Sequence, residues 1–171
     1  LYNTENVEKV RYAQEEKASG MCIIDLMSSV SNPVGVEIGS DVGETASYLL
    51  KRRPDMFLNC IDPYKTYTDW NGNFLNDREI VLQKFIETMK PYESQYKLWQ
   101  MTSDEAVNQF QNESLDFVFI DAAHDYESVK KDIESWFPKV KTGGVFAGHD
   151  YPYWEVYLAV NEFFGENKVR F

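Results

Sequence analysis

Residues 115–151 read LDFVFIDAAHDYESVKKDIESWFPKVKTGGVFAGHDY, and they contain two apolar runs that each end in acids and a histidine. The run 115–120 predicts a buried strand, 128–137 a helix, and 144–148 the next strand. A strand, a helix and a strand in this order form a β-α-β unit, whose two strands run parallel in one sheet. The stretch therefore predicts an α/β fold built on a parallel sheet.

Polar residues follow directly after both of these predicted strands. Asp121 and His124 follow the first strand, and His149 and Asp150 follow the second. Ligands of open α/β sheets bind at the carboxyl ends of the strands. We therefore expect these four side chains to converge on one functional site.

Strand and helix patterns alternate along almost all of the remaining chain. Further strands are predicted at 34–38, 56–61, 96–101 and 168–171, and further helices at 21–29, 44–50, 77–90 and 156–164. Ser103 is expected to cap a short helix, and Asp132 is expected on the solvated face of the helix 128–137. The alternation predicts a doubly wound, mostly parallel sheet flanked by helices.

Length and composition predict a single domain over residues 1–171, with a polar arm or helix at 1–19 and the α/β core at 20–171. Of 171 residues 43% are hydrophobic, which suffices for one substantial core. The net charge of −11 argues against a nucleic-acid partner, because phosphate binding needs clustered lysines and arginines. A small-molecule substrate is favoured instead.

The cysteines and the apolar runs indicate the cellular compartment of the protein. Two cysteines without a disulfide framework or metal-ligand spacing indicate a reducing compartment, and so a cytoplasmic protein. No apolar run reaches the roughly 18 residues of a membrane span, so no membrane partner is expected. No signal-peptide pattern opens the chain, but a first residue other than Met leaves a removed leader open.

The turn after the strand 34–38 carries two glycines and an acid. Gly39 allows a tight turn, and Gly43 allows the following helix to pack closely on the strand. A dinucleotide-binding turn would read G-x-G-x-x-G and hold a pyrophosphate on the helix N-terminus. Here Asp41 and the preceding Glu37 would repel a pyrophosphate, so the turn favours a ligand that carries an amino or sulfonium group.

Asp62 ends the next predicted strand, 23 residues after Gly39. At this place in α/β folds an acid accepts hydrogen bonds from both hydroxyls of a ribose. Each signal alone is common, since a strand-ending Asp often only caps a turn. In this order and spacing, the glycine turn and Asp62 together predict a nucleoside-binding site.

Four segments resemble the class I S-adenosylmethionine-dependent methyltransferases: VEIGSDVG, CIDPY, LDFVFIDAAHDYESVKKDIESWF and TGGVFAGHDY. The resemblance spans about residues 15–171 and is strongest to the group that contains the macrolide-sugar O-methyltransferases. It implies a Rossmann-like sheet that binds S-adenosylmethionine. It also implies residues for each part of the cofactor site. The methionine part would lie among Glu37, Gly39, Ser40 and Gly43, and Asp62 would hold the ribose. The adenine would lie near Ser103 and Asp104, and Asp121 would lie beside the cofactor or the metal.

The same resemblance implies a metal site and a catalytic base. Metal-dependent relatives hold a divalent cation with an Asp after the fourth strand and an acid-containing pair after the fifth, and the matching residues here are Asp121 and His149-Asp150. An imidazole in place of a carboxylate or amide weakens a site for Mg²⁺ or shifts it toward Mn²⁺ or Fe²⁺. His124 matches the histidine that acts as base on the acceptor hydroxyl in the macrolide-sugar enzymes.

The expected activity is O-methylation of a small-molecule or sugar hydroxyl, with aromatic residues near the site available to stack on the acceptor. Tyr64, Tyr67, Trp70 and Phe74 lie in a long polar connection and form either such a surface or a separate hydrophobic cluster. A nucleotide-cofactor oxidoreductase and a non-catalytic adenosyl-binding module are the alternatives. Since this fold normally ends with an antiparallel seventh strand that the sequence lacks, either further residues complete the sheet or a partner, such as a second copy, covers its edge.

Overall fold

The computed structural model describes residues 9–13, 16–68, 74–75, 77–165 and 169–170. The strands are β1 (Lys9–Ala13), β2 (Val34–Ile38), β3 (Phe57–Ile61), β4 (Tyr67–Thr68), β5 (Phe74–Leu75), β6 (Tyr96–Trp99), β7 (Leu115–Ile120), β8 (Val140–His149) and β9 (Val169–Arg170). The helices are α1 (Glu16–Leu26), α2 (Glu44–Arg52), α3 (Arg78–Met89), α4 (Ser103–Ala106), α5 (Tyr126–Trp136) and α6 (Trp154–Phe164). Short 3₁₀ helices follow α3, α4 and α5.

The main sheet has seven strands in the described residues, in the order β6-β3-β2-β7-β8-β1-β9. Every neighbouring pair is parallel. The strands β4 and β5 pair separately as an antiparallel hairpin. The prediction of a doubly wound, mostly parallel α/β sheet is confirmed.

Alternating residues of the central strands divide the core into two layers. Val118 and Ile120 of β7 pack toward α5 and α6, with the buried Trp136 among their neighbours. Phe117 and Phe119 pack on the other face, in the cluster that includes residues of α1, α2 and α3. Because both faces of the sheet are covered, these strands are nearly continuous apolar runs rather than alternating ones.

The pairing register of the central strands places their carboxyl ends side by side. Ile38, the last residue of β2, lies opposite both Ile61 and Ile120. Backbone bonds then tie the following residues together, since the Asp121 N–H donates to the Ile38 carbonyl (2.8 Å) and the Gly39 N–H donates to the Ile61 carbonyl (2.8 Å). Residues that follow β2, β3, β7 and β8 are thus brought to one edge, as the sequence predicts.

The N-terminal stretch differs from the expected polar arm. Lys9–Ala13 forms β1, which lies between β8 and β9, and α1 begins at Glu16 rather than at 21. β1 pairs with β8 from Lys9, opposite Val145, to Ala13, opposite His149. The sheet therefore contains a parallel strand from the N-terminal stretch that the sequence pattern does not predict. No helix within the described ranges is both long and apolar enough to cross a bilayer.

Candidate active site

A cavity of about 610 Å³ opens at the carboxyl edge of the sheet, between the ends of β2, β3 and β7. Its walls come from the glycine turn, the loops after β3, β6 and β7, and the first residues of α3 and α5. Its polar lining residues include Asp41, Asp62, Arg78, Ser103, Asp104, Asp121, His124, Lys131 and Asp132. One cavity therefore contains most of the residues that the sequence assigns to the cofactor and to the base.

Gly39 is required where two strand ends meet. Its φ is +88°, in the left-handed region, and a Cβ built on it would lie 1.9 Å from the carbonyl oxygen of Asp121. Gly43 has φ +81°, and a Cβ there would lie 3.0 Å from the Phe85 ring. The expectation of a tight turn at Gly39 is confirmed, whereas Gly43 lies close to α3 rather than to the strand as expected.

The other residues assigned to the methionine part do not line the cavity. Glu37 and Ser40 are buried, and neither they nor Gly43 are among the described residues that line the cavity. The pKa of the Cys60 thiol is raised above its ordinary value, mainly by burial and secondly by the Glu37 carboxylate. Of this group, Gly39 reaches the cavity directly.

Asp62 ends β3 and is held by backbone donors. Its Oδ1 accepts the Tyr64 N–H at 2.9 Å, and its Oδ2 accepts the Asp41 N–H at 3.1 Å. These bonds fix the carboxylate toward the cavity, where the sequence predicts the ribose. The turn and the acid are therefore one connected unit, as their spacing indicates.

Arg78, which the sequence reasoning missed, binds this unit. One of its guanidinium nitrogens lies 3.2 Å from both oxygens of Asp62, and the other lies 3.0 Å from Asp41 Oδ1. Burial acts to lower the pKa of Arg78, but Asp62 and Asp41 raise it by more, so the pKa lies above its ordinary value and the side chain stays charged. The sequence signal for Arg78 was its place as the first residue of α3. A cation at a helix N-terminus opposes the helix dipole, so an arginine is unfavourable there by itself.

The region expected for adenine contains a buried acid. Asp132 is only 7% exposed, so the expectation of a solvated face is wrong. The Ser103 hydroxyl donates to Asp132 and accepts from the indole N–H of Trp136 at 2.8 Å. Burial raises the pKa of Asp132 to about 6, against its hydrogen bond from Ser103.

Ser103 and Asp104 both line the cavity, but their local roles differ from those expected. Thr102, not Ser103, caps α4, because its hydroxyl accepts the Glu105 N–H while the Glu105 side chain accepts the Thr102 N–H. Asp104 forms an ion pair with Lys131 of α5. The Ser103 hydroxyl is therefore available to orient Asp132 rather than the helix backbone.

Two acids and two histidines meet after β7 and β8, as the sequence predicts. His124 Nε2 lies 2.5 Å from Asp150 Oδ2 and 3.9 Å from Asp121 Oδ1. His149 Nδ1 lies 3.0 Å and 3.7 Å from the same two oxygens. Burial raises the pKa of Asp121, with Asp150 adding to the rise and the two histidines opposing it. Asp150 has φ +58°, a conformation that is uncommon for a residue with a side chain.

The donors of this cluster suit a divalent cation. In the part of the chain that the structure describes, Asp121, His124 and Asp150 each offer a ligand atom, and these atoms lie within 4.8 Å of one another. The sequence predicts His149 as the imidazole ligand, and its Nδ1 also lies close to the carboxylates of Asp121 and Asp150. Two carboxylates and one imidazole fit Mn²⁺ or Fe²⁺ better than the all-oxygen set that Mg²⁺ prefers.

An exposed aromatic surface adjoins the cluster. The Tyr153 ring packs against the His124 ring, with centroids 5.9 Å apart, and Trp154 stacks on Tyr157. Tyr153 is 49% exposed and Trp154 is 67% exposed. Their sequence signal was that three of the four residues after Asp150 are aromatic, which the apolar pattern of α6 obscured.

Of the aromatic residues that we expect near the acceptor, the structure describes the side chain of Tyr64. Tyr64 is buried against Phe85, and its hydroxyl donates to the Asp41 carbonyl at 2.7 Å, so it belongs to the core. The side chains of Tyr67, Trp70 and Phe74 lie outside the described residues.

Comparison with known proteins agrees with this geometry. A family model described as a methyltransferase domain matches residues 36–151, about two thirds of the chain. No curated protein matches the sequence significantly.

Solved structures share the fold. A precorrin-6y C5,15-methyltransferase from Geobacter metallireducens superposes with a TM-score of 0.64 at 14% identity, over 96% of this chain and 83% of that one. A protein assigned as a caffeoyl-CoA O-methyltransferase from Staphylococcus aureus gives 0.57 at 21% identity, over 76% and 56%. A protein from Corynebacterium glutamicum gives 0.56 at 15% identity, over 78% and 57%. The match thus covers just over half the length of the last two proteins, and at these identities the similarity shows the fold alone.

Proposed function

Since the chain belongs to the class I S-adenosylmethionine-dependent methyltransferases, we propose that it methylates a hydroxyl group of a small molecule. The main observation behind this proposal is which residues line the cavity. Asp62 and Gly39 line it on one side, and Asp121 and His124 line it on another. A nucleoside site and a candidate proton acceptor therefore share the same space.

The residues of the nucleoside side fit S-adenosylmethionine. Asp62 lines the cavity at the place proposed for the ribose hydroxyls, and Asp41, which also lines it, adds negative charge that attracts an amino or sulfonium group. Ser103, Asp104 and Asp132 supply polar atoms at the place proposed for the adenine. When bound, this cofactor supplies a methyl group that is already activated for displacement from sulfur.

The protein's own part is to align the acceptor and to take its proton. We assign proton removal to His124, whose ring lies at the cavity wall between Asp150 and Tyr153. Asp121 and Asp150 would stabilise the imidazolium that results, as carboxylates beside a histidine do. Positioning and acid-base catalysis are together sufficient for transfer from an activated donor.

A metal-assisted form of this mechanism uses the same cluster. Asp121, Asp150 and His124 would hold a divalent cation, which lowers the pKa of a bound hydroxyl. In that form His124 is a ligand rather than the base. The two forms differ in their response to a chelator, which decides between them.

The acceptor proposed is a neutral ring compound, such as a sugar. Tyr153 and Trp154 offer exposed aromatic faces beside His124, and such faces stack on sugars and planar groups. The net charge of −11 disfavours a phosphorylated acceptor. We place the reaction in the cytoplasm, because the two cysteines lack the pattern of a disulfide framework.

Calorimetric titration with S-adenosylhomocysteine tests the cofactor site. Wild-type protein should bind it, and Asp62→Ala should bind it more weakly by about 1.5 to 3 kcal/mol, the range for hydrogen bonds to a charged acceptor. Asp25→Ala, which removes an exposed aspartate on α1, is the matched control and should leave affinity unchanged. Absence of binding to the wild type would reject the proposed function, and equal affinity in Asp62→Ala would remove Asp62 from the site.

A further inference from the structure

All strong acceptor positions of Asp62 are occupied in this structure. A carboxylate offers about four lone-pair sites. Two are used by the backbone N–H groups of Tyr64 and Asp41, and Arg78 spans both oxygens at 3.2 Å. A ribose that placed its hydroxyls on this carboxylate would therefore compete with Arg78, since the two backbone donors are fixed by the turn.

Arg78 stands on the cavity side of Asp62. It lines the cavity together with Asp41 and Asp62, and its side chain is 12% exposed. It is the first residue of α3, where a cation opposes the helix dipole. The attraction of the Asp41 and Asp62 carboxylates outweighs the repulsion from the helix dipole. Arg78 is therefore held in this position by its two ion pairs.

We propose that Arg78 and the hydroxyls of the nucleoside compete for the same oxygens of Asp62, and that nucleoside binding displaces Arg78 from them. This inference rests on the proposed function, because it assumes that Asp62 binds the ribose. Arg78 then sets the affinity of the site. The apparent dissociation constant equals the intrinsic one divided by the fraction of molecules in which Asp62 is open. Removal of Arg78 should strengthen nucleoside binding, which is opposite to the effect of removing a direct ligand.

The test compares adenosine with 2′,3′-dideoxyadenosine, by calorimetry, in wild type, Arg78→Met and Arg52→Met. Arg52 is the matched control, because it lies over the Tyr48 ring away from the cavity. Arg78→Met should bind adenosine about five- to thirtyfold more tightly, as expected for loss of a partly buried ion pair. Its affinity for the dideoxy compound should stay within about twofold of wild type, because that compound has no hydroxyls to exchange. Arg52→Met should match wild type for both compounds.

Three results would overturn the proposal. Weaker adenosine binding in Arg78→Met would make Arg78 a direct ligand, and unchanged binding would make the ion pair irrelevant to the site. Equal tightening for both compounds would indicate removal of a steric or charge obstacle rather than exchange with hydroxyls.

Arg78→Lys covers the case in which Arg78→Met does not fold. Lysine keeps the charge but has a single nitrogen, so it cannot contact Asp62 and Asp41 through two separate nitrogens as Arg78 does. It should therefore tighten adenosine binding by a smaller factor and still leave the dideoxy compound unchanged. Loss of nucleoside binding by the wild type would reject the proposed function itself. Wild-type binding that depends on Asp62, without tightening in either Arg78 variant, would reject this inference alone.

Discussion

Replacing Asp132 by asparagine should make the stability of the protein less sensitive to pH. Asp132 is buried on α5, and its pKa rises from 3.8 to about 6 because burial disfavours the charged form. Asparagine keeps the shape and the oxygen that accepts the Ser103 hydroxyl, but it cannot ionise. The variant therefore isolates the effect of the charge.

The sign and size follow from the pKa. A carboxyl whose pKa is higher in the folded state contributes stability below about pH 3.8, and this contribution is lost as the pH rises through about 6. A rise from 3.8 to about 6 corresponds to about 3 kcal/mol, at about 1.4 kcal/mol per pH unit. The variant should gain about this much relative to wild type between pH 4 and pH 7.

Urea denaturation of both proteins across this pH range measures the effect. The relevant quantity is the difference in free energy of unfolding between variant and wild type at each pH, since other groups titrate equally in both. Glu134→Gln, an exposed acid on the same helix, is the control and should give a flat difference. A flat difference for Asp132→Asn as well would show that Asp132 ionises as readily in the folded protein as in the unfolded chain, and the argument from burial would fail.

Further predictions concern the turn and the cluster. Gly39→Ala should cost about 3 kcal/mol or more by chemical denaturation, against about 1 to 2 kcal/mol for Gly143→Ala, because both have positive φ but only Gly39 abuts a backbone carbonyl; equal costs would contradict the close approach. Methyl transfer should stop in EDTA and return with Mn²⁺ or Mg²⁺ if the cluster binds metal, whereas full activity in chelator would leave the metal-free mechanism. His124→Ala should lower turnover about 10²- to 10⁴-fold with S-adenosylhomocysteine affinity within about twofold, and turnover near that of wild type would give His124 a structural role.

The sequence determined the frame of the site, because its signals are local. The apolar runs at 34–38, 56–61 and 115–120 and the helices between them dictate parallel strands, and parallel strands bring their carboxyl ends to one edge. Asp62, Asp121, His124 and Asp150 follow directly after such strands, so their convergence could be predicted without coordinates. The positive φ at Gly39 and Gly43 was likewise readable from a turn between strand and helix.

Only the tertiary structure decided which side chains pair and which are buried. Arg78 meets Asp62 and Asp41 across 16 and 37 residues, and no local pattern records such a partner. The sequence pattern predicts Asp132 on the solvated face of its helix, yet it is buried and accepts a hydrogen bond from Ser103, which in turn accepts one from Trp136. His124 joins Asp121 and Asp150 as a possible metal ligand because the loop after β7 brings its ring beside Asp150. Burial and pairing depend on which surfaces of distant elements meet, and that is settled by packing in three dimensions rather than by the spacing of residues along the chain.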